Sequence, residues 1–325
     1  MKLKKIKRMV AVGPAILMTL SLAGCGIGSD SVKLGAAGVG GGYYAFSNAF
    51  AQIASSEDED LDFEVKATAG STANIRLLSD GYVDMAIAQA DLVDAAYNGT
   101  GATDKKRYRG YSAVASLYTE ACQIVVRSDS GIDSLDDLQG KKISVGEEES
   151  GTQRNAEQIL KMTGLVESLV DTVNLDYVDA ANELKSGQID AFFCTAGIQT
   201  SVIEELSKEC DVKLIGIDDK CRDRLKSVYG FYTDYTIPAG TYEGQTQDVV
   251  TLGVRAVLLA RDDMDEKIVE ELTGLLFEHA QDIQYSIALT FQIDESEAVK
   301  NVTIPFHDGA KAYYQKKGIE IPAEQ

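Results

Sequence analysis

The feature that most constrains this chain is a strand–loop–helix unit that occurs twice. The first copy begins with the apolar segment 32–37, which runs into the glycine loop 38–42 and then into a helical pattern. The second begins with segment 142–145, which runs into the polar loop 146–152 and another helical pattern. Each copy is followed by a similar helix and a return strand. Alternating strands and helices of this kind predict an α/β fold with mainly parallel sheets covered by helices on both sides.

The two loops predict a binding cleft between two similar lobes. In α/β sheets, ligands bind beyond the carboxyl ends of the strands, where both loops fall. The glycine loop 38–42 allows a ligand to approach main-chain N–H groups, and a helix N-terminus favours a carboxylate. One such loop alone would be an ordinary turn, and the hydroxyls of Ser150, Thr152, Ser71 and Thr72 could simply cap helices. Their recurrence at comparable places favours a clamp around a small molecule.

Other polar side chains could complete this cleft. Gln89 follows a short apolar strand, which makes it a candidate for ligand contact. Tyr43, Tyr44, Tyr118 and Tyr232 could form walls, because a phenol offers an apolar face and a polar tip. Each tyrosine taken alone is more typical of half-buried packing.

The N-terminus is typical of a targeting segment. Residues 1–24 have a basic start, an apolar middle and the ending Leu22-Ala-Gly directly before Cys25. This pattern predicts a lipoprotein signal peptide, lipid attachment at Cys25 and a flexible tether over 25–31. A retained anchor helix is the alternative. The protein would then lie outside the cell, held to the outer face of the bacterial cell membrane by its lipid.

Charge and composition exclude several classes of function. Five of the 31 basic residues precede position 9, so 26 would remain against 51 acidic residues after processing, a net charge of −25. Such acidity argues against nucleic acid as a partner. No C-x-x-C spacing occurs and the chain has only two histidines, so neither a metal nor a cofactor is expected. Cys210 and Cys221 could form a disulfide or remain free thiols. Neither histidine lies in a candidate cleft loop, so an enzyme is not expected.

A series of motifs resembles the TAXI (TRAP-associated extracytoplasmic immunogenic) solute receptors over nearly the whole chain after the signal peptide. The motifs are Gly38-Val-Gly-Gly-Gly-Tyr-Tyr44, Asn74-Ile-Arg-Leu-Leu with Gly81 and Asp84, Gln89-Ala-Asp91, Ser150-Gly-Thr152, Ile237-Pro-Ala-Gly-Thr-Tyr242 and the closing stretch 307–318.

The resemblance implies a two-lobed, periplasmic-binding-protein-like fold of type II with the ligand cleft between the lobes. Lobe I would comprise 32–118 and 248–325, and lobe II 119–247. The receptor would deliver a small organic acid or amino acid, such as a glutamate-like solute, to the membrane subunits of a TRAP transporter. The implied ligand-binding residues are Gly42, Tyr43, Tyr44, Ser71, Thr72, Gln89, Ser150, Gly151, Thr152, Ala196, Gly197 and Tyr232. The alternatives are a receptor of an ABC-type importer and a ligand-sensing surface lipoprotein.

One departure from the family affects the choice of ligand. The second loop carries Glu147, Glu148 and Glu149 where relatives usually have small or neutral residues. If any of these carboxylates faces the cleft, it would repel a dianion, and a zwitterion or monocarboxylate would be favoured. Otherwise the three acids form the rim that meets the transporter.

Overall fold

The structure is a computed structural model that describes residues 31–101, 105–166, 168–287 and 293–322. The predicted signal peptide and Cys25 lie outside the described residues. Within the ranges it describes, no helix is long and apolar enough to cross a membrane.

Within the described residues, ten strands form one continuous sheet. They are β1 (Val32–Gly35), β2 (Phe63–Lys66), β3 (Met85–Gln89), β4 (Tyr111–Arg127), β5 (Lys142–Ser144), β6 (Asp171–Val173), β7 (Ala191–Ala196), β8 (Val212–Leu214), β9 (Thr233–Ile237) and β10 (Val249–Arg261).

Helices cover both faces of the sheet. They are α1 (Gly42–Glu57), α2 (Ser71–Ser79), α3 (Ala90–Asn98), α4 (Gly151–Thr163), α5 (Tyr177–Ser186), α6 (Ser201–Glu209), α7 (Asp219–Val228), α8 (Glu266–Glu278), α9 (Ala280–Ser286) and α10 (Asp308–Lys317).

The strand order divides the sheet into two lobes joined by β4 and β10. Along the sheet the order is β2-β1-β3-β10-β4-β7-β5-β6, with β8 added to β4 and β9 to β10. We call the part with β1–β3, α1–α3 and α8–α10 lobe I, and the part with β5–β9 and α4–α7 lobe II. The two-lobed α/β fold predicted from the sequence is therefore confirmed. The residue boundaries given above for the lobes stay a prediction.

The prediction of mainly parallel pairing is wrong for the centre of the sheet. β1 pairs in parallel with β2 and β3, and β5 does so with β6 and β7. β10, however, runs antiparallel to β3, β4 and β9, and β4 runs antiparallel to β7 and β8. The reason is that β4 and β10 carry the chain between the lobes in opposite directions, so they run antiparallel to each other. Each also runs antiparallel to the other strands that pair with it.

β4 is a single strand of 17 residues that serves both lobes. Its first part, from Tyr111 to Ala121, pairs with β10, and its second part, from Ala121 to Val126, pairs with β7. Glu120 lies next to this change of partner. The strand thus places Glu120 where the two lobes meet.

Side chains that alternate along the strands of lobe II fill two separate cores. Ile124 and Phe193 belong to the core on one face of the sheet, and Val125 and Phe192 to the core on the other. This alternation follows from the two-residue period of a strand. The two cores hold the sheet of lobe II between two layers of helices. This packing fixes the loops at the strand ends.

The question of a disulfide is settled for the described cysteines. Cys210 and Cys221 are both free thiols, as are Cys122 and Cys194.

Candidate ligand cleft

A small cavity lies between the lobes, at the ends of the strands that precede α1, α2 and α4. Its volume is about 40 Å³. It is lined by Ala37, Gly38, Gly41, Gly42, Tyr43, Ala69, Gly70, Ser71, Gln89, Glu120, Glu147, Ser150, Gly151, Thr152, Asp176, Tyr177 and Thr195. We call this cavity and its lining the cleft. A volume of this size holds about three water molecules, so the lobes are closed on one another.

Three helices point their N-termini at the cleft. α1 begins at Gly42 after Gly41, and no side chain caps it. α2 begins at Ser71 after Gly70, whose φ of 114° is accessible to glycine and strained for other residues. α4 begins at Gly151, with the Ser150 hydroxyl accepting from the Gln153 N–H. Because each helix follows a strand through a short loop, the fold gathers the partial positive ends of three helix dipoles around one cavity.

A buried carboxyl group forms the floor of the cleft. Glu120 is only 3% exposed, and the Tyr43 hydroxyl donates to its Oε2 over 2.6 Å. Burial raises the pKa of Glu120 to about 8, although the hydrogen bonds of Tyr43 and Gln89 act in the opposite direction. Removing the charged form from water is costly. Glu120 is therefore mostly protonated at neutral pH in this closed state.

Gln89 stands beside this floor and connects the lobes. Its main-chain N–H donates to the Ser71 hydroxyl over 3.1 Å, and its Nε2 donates to Asn155 Oδ1 of α4 over 3.0 Å. Its Oε1 is buried and accepts no hydrogen bond from the described residues. A cleft-lining side chain that is 2% exposed thus has a free acceptor.

The wall contributed by lobe II is a closed hydrogen-bond network. Thr152 Oγ1 lies 2.6 Å from the Tyr177 hydroxyl, which donates to the Thr195 carbonyl over 3.0 Å. The Thr195 N–H in turn donates to Thr152 Oγ1 over 3.2 Å. These groups satisfy one another, so they hold the start of α4 rigidly against β7.

Glu149 of lobe II contacts lobe I through both its main chain and its side chain. Its carbonyl oxygen accepts from the N–H groups of Thr72 and Ala73 at the start of α2, over 3.1 and 3.2 Å. Its carboxylate forms a two-point ion pair with Arg76, with distances of 2.6 Å to Nη2 and 3.2 Å to Nε. Glu149 has a φ of 65°, which turns the carbonyl towards lobe I. The α2 N-terminus is thus occupied by the protein itself.

The cleft is acidic. Glu120, Glu147 and Asp176 line it, and its lining contains no lysine, arginine or histidine among the residues that the structure describes. Burial and the nearby Asp176 raise the pKa of Glu147. Of the three consecutive glutamates, Glu147 faces the cleft and Glu149 pairs with Arg76. Glu148 lies outside, in a groove that also contains Thr72 and Arg154 and is called the outer groove below.

Residues 34–318 match the family described as the NMT1-like family. The chain belongs to the NMT1-like family. The assignment to the TAXI receptors, made from the sequence motifs, is corrected by this match, and the expectation of a TRAP transporter as partner, which depended on it, is withdrawn.

Several solved structures are similar to this NMT1-like protein in fold. One from Bordetella bronchiseptica RB50 has 16% identity and a TM-score of 0.58 over 89% of this chain and 98% of the other. MatC from Rhodopseudomonas palustris with bound malate has 14% identity and a TM-score of 0.57 over 82% and 91%. PhnD1 from Prochlorococcus marinus in complex with methylphosphonate has 13% identity and a TM-score of 0.54 over 90% and 100%.

The cleft of this NMT1-like protein brings together seven of the twelve residues predicted to bind ligand. These are Gly42, Tyr43, Ser71, Gln89, Ser150, Gly151 and Thr152. All seven come from loops that the sequence identified as strand ends entering helices. Their contact with a ligand stays a prediction.

The other five predicted residues lie away from the lining. Tyr44 is half-buried on α1 next to Tyr43. The Thr72 N–H donates to Glu149. Ala196 is buried and pairs with Ala121, and the Gly197 carbonyl accepts from the Thr200 hydroxyl. Tyr232 is buried behind α4, where its hydroxyl accepts from Asn155 over 2.8 Å and donates to Gln158 over 2.6 Å.

Four polar residues of the lining were missed by the sequence analysis. Tyr177, Asp176 and Thr195 reach the cleft only through the packing of lobe II, so no local pattern marks them. Glu120 did carry a signal. It is the one acid within segment 111–127, whose other residues are mostly apolar, and a buried acid at such a position is usually functional or paired.

Proposed function

We propose that this NMT1-like protein is an extracytoplasmic solute-binding lipoprotein, which captures a small organic solute in the cleft and delivers it to an ABC-type importer. The observation that carries the proposal is the convergence of three helix N-termini on one closed cavity between two lobes. Such an arrangement suits reversible capture of a small polar molecule, because main-chain N–H groups and hydroxyls from both lobes can bind it at once.

Capture requires the lobes to open. The closed cavity of about 40 Å³ is much smaller than the several hundred Å³ of ordinary small-molecule sites. Solute would enter the open form and bind the closed form more tightly, so binding would shift the population towards closure. The strands β4 and β10 are the connections that would bend, near the predicted lobe boundaries at 118/119 and 247/248.

The proposed contacts are the seven predicted residues that line the cleft. The α1 N-terminus supplies the N–H groups of Gly42 and Tyr43, and the α4 N-terminus those of Gly151 and Thr152. A carboxylate or other anionic end of the solute would bind there. The protein would release the solute unchanged.

The binding step is tested by isothermal titration of the purified mature chain against a panel of small organic acids and amino acids. We expect saturable binding with one site per chain for at least one compound. Native mass spectrometry of protein purified from membranes of its own host would identify a co-purified solute. A protein that binds no member of the panel and carries no solute would contradict the proposal.

The importer class is tested by uptake into cells or vesicles that contain the receptor and its membrane partners. An ABC-type importer uses ATP, so vanadate should abolish uptake, and an ionophore that collapses ion gradients should leave it unchanged while ATP is supplied. Uptake that resists vanadate and stops with the ionophore would refute the ABC assignment.

Labelling with a radioactive fatty acid would test the proposed lipid anchor, with Cys25→Ser as the control.

A further inference from the structure

We propose that the captured solute carries a protonated amine, which binds between the Glu120 carboxylate and Gln89 Oε1 at the floor of the cleft. This inference rests on the proposed function and specifies its solute class. It predicts a zwitterionic or cationic amine, and excludes a dicarboxylate without an amino group.

A buried acceptor without a donor lies beside a buried carboxyl group at this floor. Glu120 is 3% exposed, and both Tyr43 and Gln89 form hydrogen bonds to it. Gln89 is 2% exposed, and its Oε1 has no donor among the residues the structure describes. Buried acceptors normally find partners. An ammonium group has three N–H donors and a positive charge, which suits a carboxylate next to an amide oxygen.

Acidic groups surround Glu120. The described titratable groups that interact with it electrostatically include Tyr43, Asp91, Tyr118, Cys122, Tyr177 and Cys194, all of them acids. On the neighbouring β10, Arg255 directs its Nε to the Ser116 hydroxyl instead. Arg154 of α4 lowers the pKa of Asp91 and lies in the outer groove.

The rim of the cleft is acidic as well. Glu147 and Asp176 both line it and belong to loops of lobe II. With Glu120 they give the cleft three carboxyl groups and no basic residue among the described lining. A dianionic solute would meet the negative charge of Glu147 and Asp176 at close range, whereas an amine would be attracted.

The protonation of Glu120 supplies a distinctive signature. With the pKa of Glu120 raised to about 8 in the closed cleft, an ammonium group must displace a proton to form its ion pair. Binding should therefore release up to one proton near pH 7. Affinity should fall about tenfold for each pH unit below 8. A solute without an amino group would show neither effect.

The experiment compares matched pairs of compounds that differ only in the amino group, such as glutamate with glutarate and alanine with propionate. Titration calorimetry of the mature wild-type chain should detect an amino compound with at least tenfold higher affinity than its partner. Repeating the titration in buffers of different ionisation enthalpy measures the released proton. Equal affinity for both members of every bound pair, or binding without proton release, would overturn the inference while leaving the proposed function intact.

Glu120→Gln is the matched variant, because glutamine has the same shape and cannot ionise. It should weaken amine binding at pH 8.5 at least tenfold and remove the pH dependence of affinity. Glu148→Gln, an exposed acid in the outer groove, should change neither. If Glu120→Gln fails to fold, the proton-release measurement on the wild type still tests whether the solute binds through an amine. Binding of no compound by any variant would refute the proposed function as well.

Discussion

Replacing Arg76 by alanine should shift the free receptor towards the open form. Arg76 of lobe I holds Glu149 of lobe II by a two-point ion pair, so the pair exists only when the lobes are closed. Its side chains are 39% and 42% exposed, so solvent screens the attraction. Exposed pairs contribute about 0.2–1 kcal/mol, and two-point geometry places this one near the upper end. The bonds from Thr72 and Ala73 to the Glu149 carbonyl would remain.

If the closed form loses about 1 kcal/mol of stabilisation, the ratio of closed to open protein falls about fivefold. Apparent solute affinity should fall by no more than this factor, because only the population of the binding-competent state changes. The assay is single-molecule energy transfer between dyes on α8 of lobe I and α6 of lobe II, at 20 and 300 mM salt. The difference between wild type and Arg76→Ala should shrink at the higher salt concentration.

The matched control is Lys185→Ala. Lys185 and Glu209 form an exposed ion pair of similar length within lobe II, so its loss should not alter the distance between the lobes. A double-mutant cycle of Arg76→Ala with Glu149→Ala measures the coupling directly. An unchanged distance distribution in Arg76→Ala, or a coupling energy near zero, would refute the idea that this pair stabilises closure.

Three further predictions concern the floor of the cleft and the start of α4. The pKa of Glu120 is raised from 4.5 to about 8 by burial, so between these pH values the folded state binds more protons than the unfolded state. The free energy of unfolding should therefore fall as pH rises from 4.5 to about 8. Thermal unfolding should show Glu120→Gln to be more stable than wild type at pH 8.5 and not at pH 5. A Cβ on Gly151 would lie 2.5 Å from the Gln89 amide, so Gly151→Ala should hinder closure and weaken solute binding about tenfold, as measured by calorimetry. The control is Gly274→Ala, whose new Cβ meets its nearest neighbour at 3.4 Å and which should leave solute affinity unchanged. Tyr43→Phe removes the O–H that donates to Glu120, which should move the midpoint of the pH dependence of solute binding upward; an unchanged midpoint would show that this bond does not favour the charged form.

The parts of the cleft that depend on local sequence could be predicted. A glycine loop or a hydroxyl directly before an apolar helical pattern identifies a helix N-terminus, and Gly42, Ser71 and Ser150, predicted in this way, line the cavity. Gln89 was predicted to lie at the cleft because it ends a short apolar strand. These signals are local because a strand end and the following helix start are adjacent in the chain.

The rest required tertiary packing. The polar pair Thr119-Glu120 interrupts an apolar segment and resembles a break between two strands. In the fold β4 is continuous, and a polar residue occurs there because the strand passes the cleft. Tyr232 was predicted to bind ligand, and in the fold its hydroxyl bonds to Asn155 and Gln158 behind α4. Aromatic residues have no periodicity that separates a cleft wall from a core position.

The position of Gln89 suggests how amine binding and closure are coupled. Its Nε2 reaches Asn155 only when the lobes are together, and this bond fixes the orientation of the amide. Oε1 of this cleft-lining side chain is then left without a donor among the described residues. An amine that donates to Oε1 and to Glu120 would therefore find both acceptors preorganised in the closed form and only one held in place in the open form. The differential affinity that drives closure would then come from the same two side chains that select the solute.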